Sequence, residues 1–315
     1  MQLPAPQVPP QAPPHTPPSG HDPVLLDEVL SHLSPQPGQV FIDCTLGRAG
    51  HASAIASRLG EAGLFIGIDA DPRNLEYAKV RLEGVACRVR LFHANFAEME
   101  EVLAAVSVPL VHGVLADLGI STNQLFDDNY GLSFAQEMPL DMRLDPRLPR
   151  TAAHVVNTMR EEDLANLLYE LAQERFSRRI ARKIADARRQ APITTTERLA
   201  ELVRSAIPLR RGGAPEKIDP ATRTFMALRM AVNDELPNLD ALLRHTPKHL
   251  HPGGRFGVIC FHSGEDRRVK QAFRSMEQAG QFALVTKKPV SPSDDETRRN
   301  PRSRSAKLRV IEKRS

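Results

Sequence analysis

"FIDCTLGRAGHA" (residues 41–52) runs from apolar strand formers into an acid and then into a loop with two glycines. The apolar lead reads as a buried strand, Gly47 and Gly50 as a turn, and the following "HASAIASRLG" as a helix. A strand, a glycine loop and a helix form the opening unit of a βαβ fold, and the rest of the chain can be read from this point.

Outward from that unit the pattern repeats. "QVFIDCT" (39–45), "GLFIGIDAD" (63–71), "VRLFHANF" (89–96) and "VHGVLADLG" (111–119) read as buried strands with helical stretches between them. From about 125 to 245 the strand signals vanish and helical patterns replace them. Strands return at "GGRFGVICFHS" (253–263), "FALVTKK" (282–288) and "SAKLRVIEK" (305–313). Alternating strands and helices predict a parallel α/β sheet covered on both faces. The fold expected is therefore an α/β domain over 21–124 and 246–315, interrupted by an all-helical insert over 125–245. Residues 1–20 hold eight prolines and little to bury, and read as a passive, disordered tail leaning to polyproline II.

Composition narrows the class. The chain has 315 residues, 41% of them hydrophobic, so a sizeable core can form; aromatics are 5% and Trp is absent, so that core is mostly aliphatic. Cys44, Cys87 and Cys260 are sparse and lack C-x-x-C spacing, which points to reduced intracellular thiols rather than disulfides. No metal-ligand spacing, membrane-length apolar run or secretory signal is seen, so a cytoplasmic location without membrane contact is expected. The net charge is only +4, but the basic residues are clustered.

In an open parallel sheet, ligands bind at the carboxyl ends of the strands. Gly47–His51 sits at that edge, and Asp69 ends the second strand, where a carboxylate can accept both hydroxyls of a ribose. Enzymes using NAD and enzymes using S-adenosylmethionine (SAM) share this much. The loop reads G-R-A-G-H rather than G-x-G-x-x-G. Asp43 at its mouth would repel a pyrophosphate, yet suits the ammonium and sulfonium of SAM. Arg48 leaves a phosphate open, and Asp43 can instead cap the next turn. Phe96 fits either an adenine stack or the core. Asp117 ends the fourth strand, at the switch point of the sheet. There it can accept a hydrogen bond from a substrate amine, making the nitrogen more nucleophilic, or it can simply contact the cofactor.

Basic residues mark a nucleic-acid face. "ERFSRRIARKIADARRQ" (174–190) places Arg175, Arg178, Arg179 and Arg182 on one helical face, a footprint for phosphates or else a solvated surface. Arg210, Arg211, Arg223 and Arg229 are further candidates, as are Arg298, Arg299, Arg302 and Arg304 before the last strand. In "FHSGEDRR" (261–268), His262, Ser263, Glu265 and Asp266 end the fifth strand at the ligand edge, with a helix N-cap as the alternative role for Ser263. The target base must be unstacked to reach a cofactor.

Many stretches together carry a resemblance. They include "HDPVLLDEVL", "DCTLGRAGH", "GIDADP", "ADLGISTNQL", "GLSF", "PLDMRLD", "VNDEL", "GGRFGVICFHSGEDRRVK" and "NPRSRSAKLRV", in order over about residues 21–313. The chain resembles the bacterial MraW-type 16S ribosomal RNA (cytosine-N4)-methyltransferases. The resemblance implies a Rossmann-like, seven-stranded SAM-dependent methyltransferase sheet with a helical, RNA-recognising insert. It implies methylation of a cytidine N4 in the decoding centre (P site) of 16S rRNA, within the small ribosomal subunit. By motif, the SAM contacts are Ala49, Gly50, His51, Asp69, Phe96, Asp117 and Gln124. Ala49 stands where the family usually has glycine, and Gly264 replaces its usual leucine. A homodimer is left open. Two rivals are an NAD-dependent oxidoreductase, which lacks its full glycine fingerprint, and a non-catalytic RNA-binding assembly factor, which would not need Asp117.

Overall fold

The structure is a computed structural model that describes residues 23–121, 124–125, 130–208 and 219–315. The proline-rich tail, Arg210 and Arg211 lie outside the described residues.

Seven strands form one sheet: β1 (Val40–Asp43), β2 (Leu64–Asp69), β3 (Arg88–His93), β4 (Val111–Asp117), β5 (Leu250–Cys260), β6 (Phe282–Leu284) and β7 (Lys307–Lys313). Their order is β3-β2-β1-β4-β5-β7-β6, with β7 antiparallel to both neighbours and the other pairs parallel. All seven expected strands are present with shifted ends: most end earlier than expected, while β5 starts three residues sooner, at Leu250. Asn95, for example, leaves β3 and caps a short turn over Phe96–Glu98.

Successive side chains of a strand face opposite sides, which splits the sheet core in two. Phe41, Phe65 and Leu115 pack with α1 (Leu26–Leu33), α2 (Gly50–Leu59) and α3 (Pro72–Arg81). Ile42, Ile66, Val114 and Ala116 pack on the other face with α4 (Met99–Ala105), α10 (Glu235–His245) and α11 (Ser263–Gln278). Close packing demands glycine in β2, because a Cβ on Gly67 would lie 2.9 Å from Leu46 and Leu91.

A third cluster belongs to the helices between β4 and α10. It joins α5 (Ala152–Thr158), α6 (Glu161–Ala172), α7 (Ser177–Arg188), α8 (Thr196–Ala206) and α9 (Ala221–Val232). In α7, Ile180, Ala181, Ile184 and Ala185 are buried while Arg178, Arg179, Arg182 and Lys183 are exposed. Burying each isoleucine contributes roughly 1.5–3 kcal/mol, so this helix is held by its apolar stripe. Although the sequence groups α10 with the insert, Leu239, Leu242 and Leu243 enter the sheet cluster beside Met99 and Phe273.

The insert is tied to the sheet edge by polar contacts. Asp71 accepts from the Gln124 amide (2.8 Å) and from the Tyr130 hydroxyl. Within the insert, buried Asn233, just after α9, accepts from the Leu144 N–H (2.8 Å) and donates to the Met142 carbonyl (2.8 Å). Arg147 bridges Asp145 and Glu98.

Candidate active site

A cleft of about 380 Å³ opens between the carboxyl ends of β1, β2 and β4 and the insert. Of the residues expected to bind cofactor, Gly50, His51, Asp69, Phe96, Asp117 and Gln124 line it. Leu144, Met226 and Arg229 of the insert face them.

The glycine loop is held from behind. Cys44 N–H donates to the Leu115 carbonyl (2.8 Å) and Leu46 N–H to the Ile68 carbonyl (2.9 Å), so the chain continues both ladders before turning. Asp69 then accepts from Gly47 N–H (2.6 Å), Asp71 N–H (2.8 Å) and the Asn74 amide (3.3 Å). Burial pushes the Asp69 acid up to about 6, against the lowering pull of the Asp71 and Gly47 N–H groups. With Gly47 N–H on Asp69 and Ala49 N–H on the Leu46 carbonyl, these loop donors turn inward rather than toward a phosphate. Ala49 itself is fully buried at φ 59°, the left-handed region. That is the physical reason a glycine suits this position. Gly50 is bare because a Cβ would meet Pro23 at 2.7 Å.

Asp43 departs from its expected place at the mouth of the loop, facing the charges of SAM. It is 1% exposed, does not line the cleft, and accepts from Thr45 N–H (3.0 Å) and the Thr45 hydroxyl (3.3 Å). Burial pushes its carboxyl up to about 7, partly offset by the Thr45 N–H. It braces the turn, and Asp69, Asp117 and Glu265 are the acids that line the cleft.

Asp117 is placed by its backbone N–H, which donates to the Thr45 hydroxyl (2.6 Å). Burial, then the Asp43 and Glu265 carboxylates, hold its acid well above the usual carboxylate range. Its Oδ1 is buried and finds no hydrogen-bond partner among the described residues. Its Oδ2 lies 3.7 Å from Nδ1 of His51, whose Nε2–H donates to the Val24 carbonyl (2.8 Å). Burial lowers His51 to about 4, so its ring is neutral at pH 7.

Other expected residues fall differently. Gln124 spends both ends of its amide on the protein, accepting from Ser121 N–H (3.0 Å) and donating to Asp71 (2.8 Å), so it buttresses the wall. His262 and Arg302 line the cleft, while Ser263 and Arg304 do not. The N-cap of α11 is His262 rather than Ser263: its Nδ1 accepts from Gly264 N–H (3.1 Å) and Glu265 N–H (3.4 Å). Arg229, expected among the cations of the nucleic-acid face, is largely buried and pairs with Glu235 at 2.7 and 2.9 Å. Arg175 precedes α7, in a turn closed by the buried Glu174 carboxylate on Phe176 N–H (2.8 Å); Arg178, Arg179 and Arg182 are exposed on α7 itself. Thr45, Asn74 and Asp71 were not singled out from sequence. Only Asp71, before the helix-starting Pro72, carries a sequence signal, that of an N-cap.

The residues fit SAM. Asp69 keeps acceptor capacity on the cleft beyond its three protein donors, where a ribose hydroxyl fits, and Asp117 offers an unpaired acceptor in a cleft whose acids favour a cation. Sheet order, glycine loop and paired acids define a SAM-dependent methyltransferase of α/β class with a helical insert. Residues 18–314 match the MraW methylase family, and the chain belongs to it. Similar proteins named ribosomal RNA small subunit methyltransferase H come from Acidobacterium capsulatum (46% identical over 93% of this chain and 98% of that protein) and Koribacter versatilis (47% over 92% and 93%). Another, from Syntrophotalea carbinolica, is 45% identical over 92% of this chain and 97% of its own.

Proposed function

We propose that this protein methylates the exocyclic N4 of a cytidine in the decoding centre of 16S rRNA, in the small ribosomal subunit. The observation that carries the reading is Asp117: a desolvated carboxyl with an unpaired oxygen, on the cleft wall beside the glycine loop and opposite the insert. Bound SAM supplies a methyl group on positively charged sulfur. Asp117 accepts a hydrogen bond from one N4–H, drawing the nitrogen lone pair out of conjugation and toward the methyl carbon. Gly50, His51 and Asp69 hold the donor, Phe96 flanks its adenine, and Ala49 shapes the loop from beneath. His262, Leu144 and Met226 enclose the unstacked base, which is costly to expose in a duplex and cheaper in a deformed rRNA site. Arg175, Arg178, Arg179 and Arg182, with Arg302 and Arg304 near the C-terminus, engage phosphates. Ser263 contributes as the first residue of α11.

Mass spectrometry of rRNA nucleosides tests this directly. Small subunits incubated with the enzyme and SAM are expected to gain N4-methylcytidine. A methyl on carbon 5 or on the ribose, or no methyl at all, rejects the proposal.

A further inference from the structure

The N-cap of α11 fixes the ring tautomer of His262. Its Nδ1 accepts two backbone N–H groups, from Gly264 (3.1 Å) and Glu265 (3.4 Å), so that nitrogen carries a lone pair. The single ring proton must then sit on Nε2. That N–H is buried on the cleft wall without a hydrogen-bond partner among the described residues. The nearest carboxylate oxygen, Glu265 Oε1 at 3.1 Å, lies out of line, and Glu265 Oε2 is taken by the Phe261 and His262 N–H groups. Gly264 adds a constraint, since a Cβ there would lie 3.0 Å from the ring.

A buried, unpaired donor is costly unless a ligand supplies its acceptor. The same cleft holds the opposite defect, the unpaired Asp117 acceptor. One fixed donor and one acceptor match the adjacent N3 acceptor and N4–H donor of cytosine. Uracil presents the reverse, N3–H and O4, and would leave both protein groups facing their own kind. Resting on the proposed base-methylating activity, we infer that His262 is a specificity-determining residue whose Nε2–H reads the N3 acceptor of the target base. Adenine carries the same donor–acceptor pair, so this contact separates cytosine from uracil, and pocket size must exclude purines.

The test uses the full chain saturated with S-adenosylhomocysteine, titrated with cytidine and with 3-deazacytidine, which lacks the N3 acceptor. Wild-type protein is expected to prefer cytidine by about 10- to 100-fold, the loss associated with one unpaired buried partner. His262→Asn keeps a strong N-cap oxygen but removes the ring donor. It is expected to keep its melting temperature and S-adenosylhomocysteine affinity while losing the preference. A wild-type protein indifferent to the deaza substitution, or binding no cytidine, overturns the inference, as does a variant that still discriminates. The activity is judged separately: wild-type protein that leaves small-subunit cytosine N4 unmethylated defeats that reading, whereas methylation without deaza discrimination defeats only the role of His262.

Discussion

The sheet side of the cleft and the exposed surface of the insert use charge in opposite ways. On the sheet side, the desolvated Asp69 and Asp43 carboxyls are held by backbone N–H groups and Asn74, and Asp117 is placed by its own N–H on Thr45, not by cations. On the insert, Arg178, Arg179, Arg182 and Lys183 stand in solvent, and Arg182 meets Glu161 only at 3.6 Å with both side chains exposed. A desolvated carboxyl is strained until a cation arrives, so its effects are short-ranged and resist salt. A solvated arginine gives up little on binding and acts at a distance that salt screens. The acids are therefore suited to a small cation, and the arginines to a large anion.

The strongest way to break that contrast is Asp117→Asn. Methyl transfer is expected to fall by about 10²- to 10⁴-fold. The melting temperature is expected not to fall, because the amide removes a buried acid facing Asp43 and Glu265. Activity within a few-fold of wild type would deny the sheet wall its chemical part.

Acid should weaken the donor site next. The Asp69 acid of the free protein sits at about 6, and a bound cation favours its ionised form. SAM affinity is thus full above that value and is lost as pH falls through it. Between pH 7 and pH 5 the dissociation constant is expected to rise about tenfold by calorimetry, with little salt dependence. A flat profile would show that Asp69 stays ionised throughout.

The insert should respond to salt instead. Arg178→Ala combined with Arg179→Ala is expected to weaken rRNA binding a few-fold, lowering the slope of log affinity against log salt by about 2. SAM affinity is expected to stay unchanged. Loss of SAM binding, or an unaltered slope, would erase the division of labour between the cleft and the insert surface.

The smallest effect is expected at Ala49→Gly. Relief of the left-handed φ, about 1–2 kcal/mol, is offset by a lost buried methyl and by a more flexible unfolded chain. The net change in unfolding free energy should stay within about 1 kcal/mol, measured by denaturant titration. A larger gain would mean that the loop carries real strain.

Much of this could be read from the order of residues. Buried parallel strands are continuous apolar runs, so β1, β2 and β4 were plain to read, and the acids Asp69 and Asp117 at the tips of β2 and β4 were visible with them. The helical run after β4 announced an insert, and the arginines of α7 stood out against its isoleucine stripe. Those signals are local: period, charge and glycine spacing lie within a few residues of each other.

What the tertiary structure alone decided depends on contacts between distant segments. Asp43 and Asp69 both end strands, yet the turn at Thr45 buries one while the other faces the cleft. Arg229 looks like any surface cation until Glu235 folds back onto it. Helix α10 is amphipathic in either setting, and only packing against Met99 and Phe273 assigns it to the sheet. The lone proton of His262 follows from two backbone N–H groups meeting its ring. In each case a side chain's direction and solvation are set by neighbours that the chain brings up only on folding.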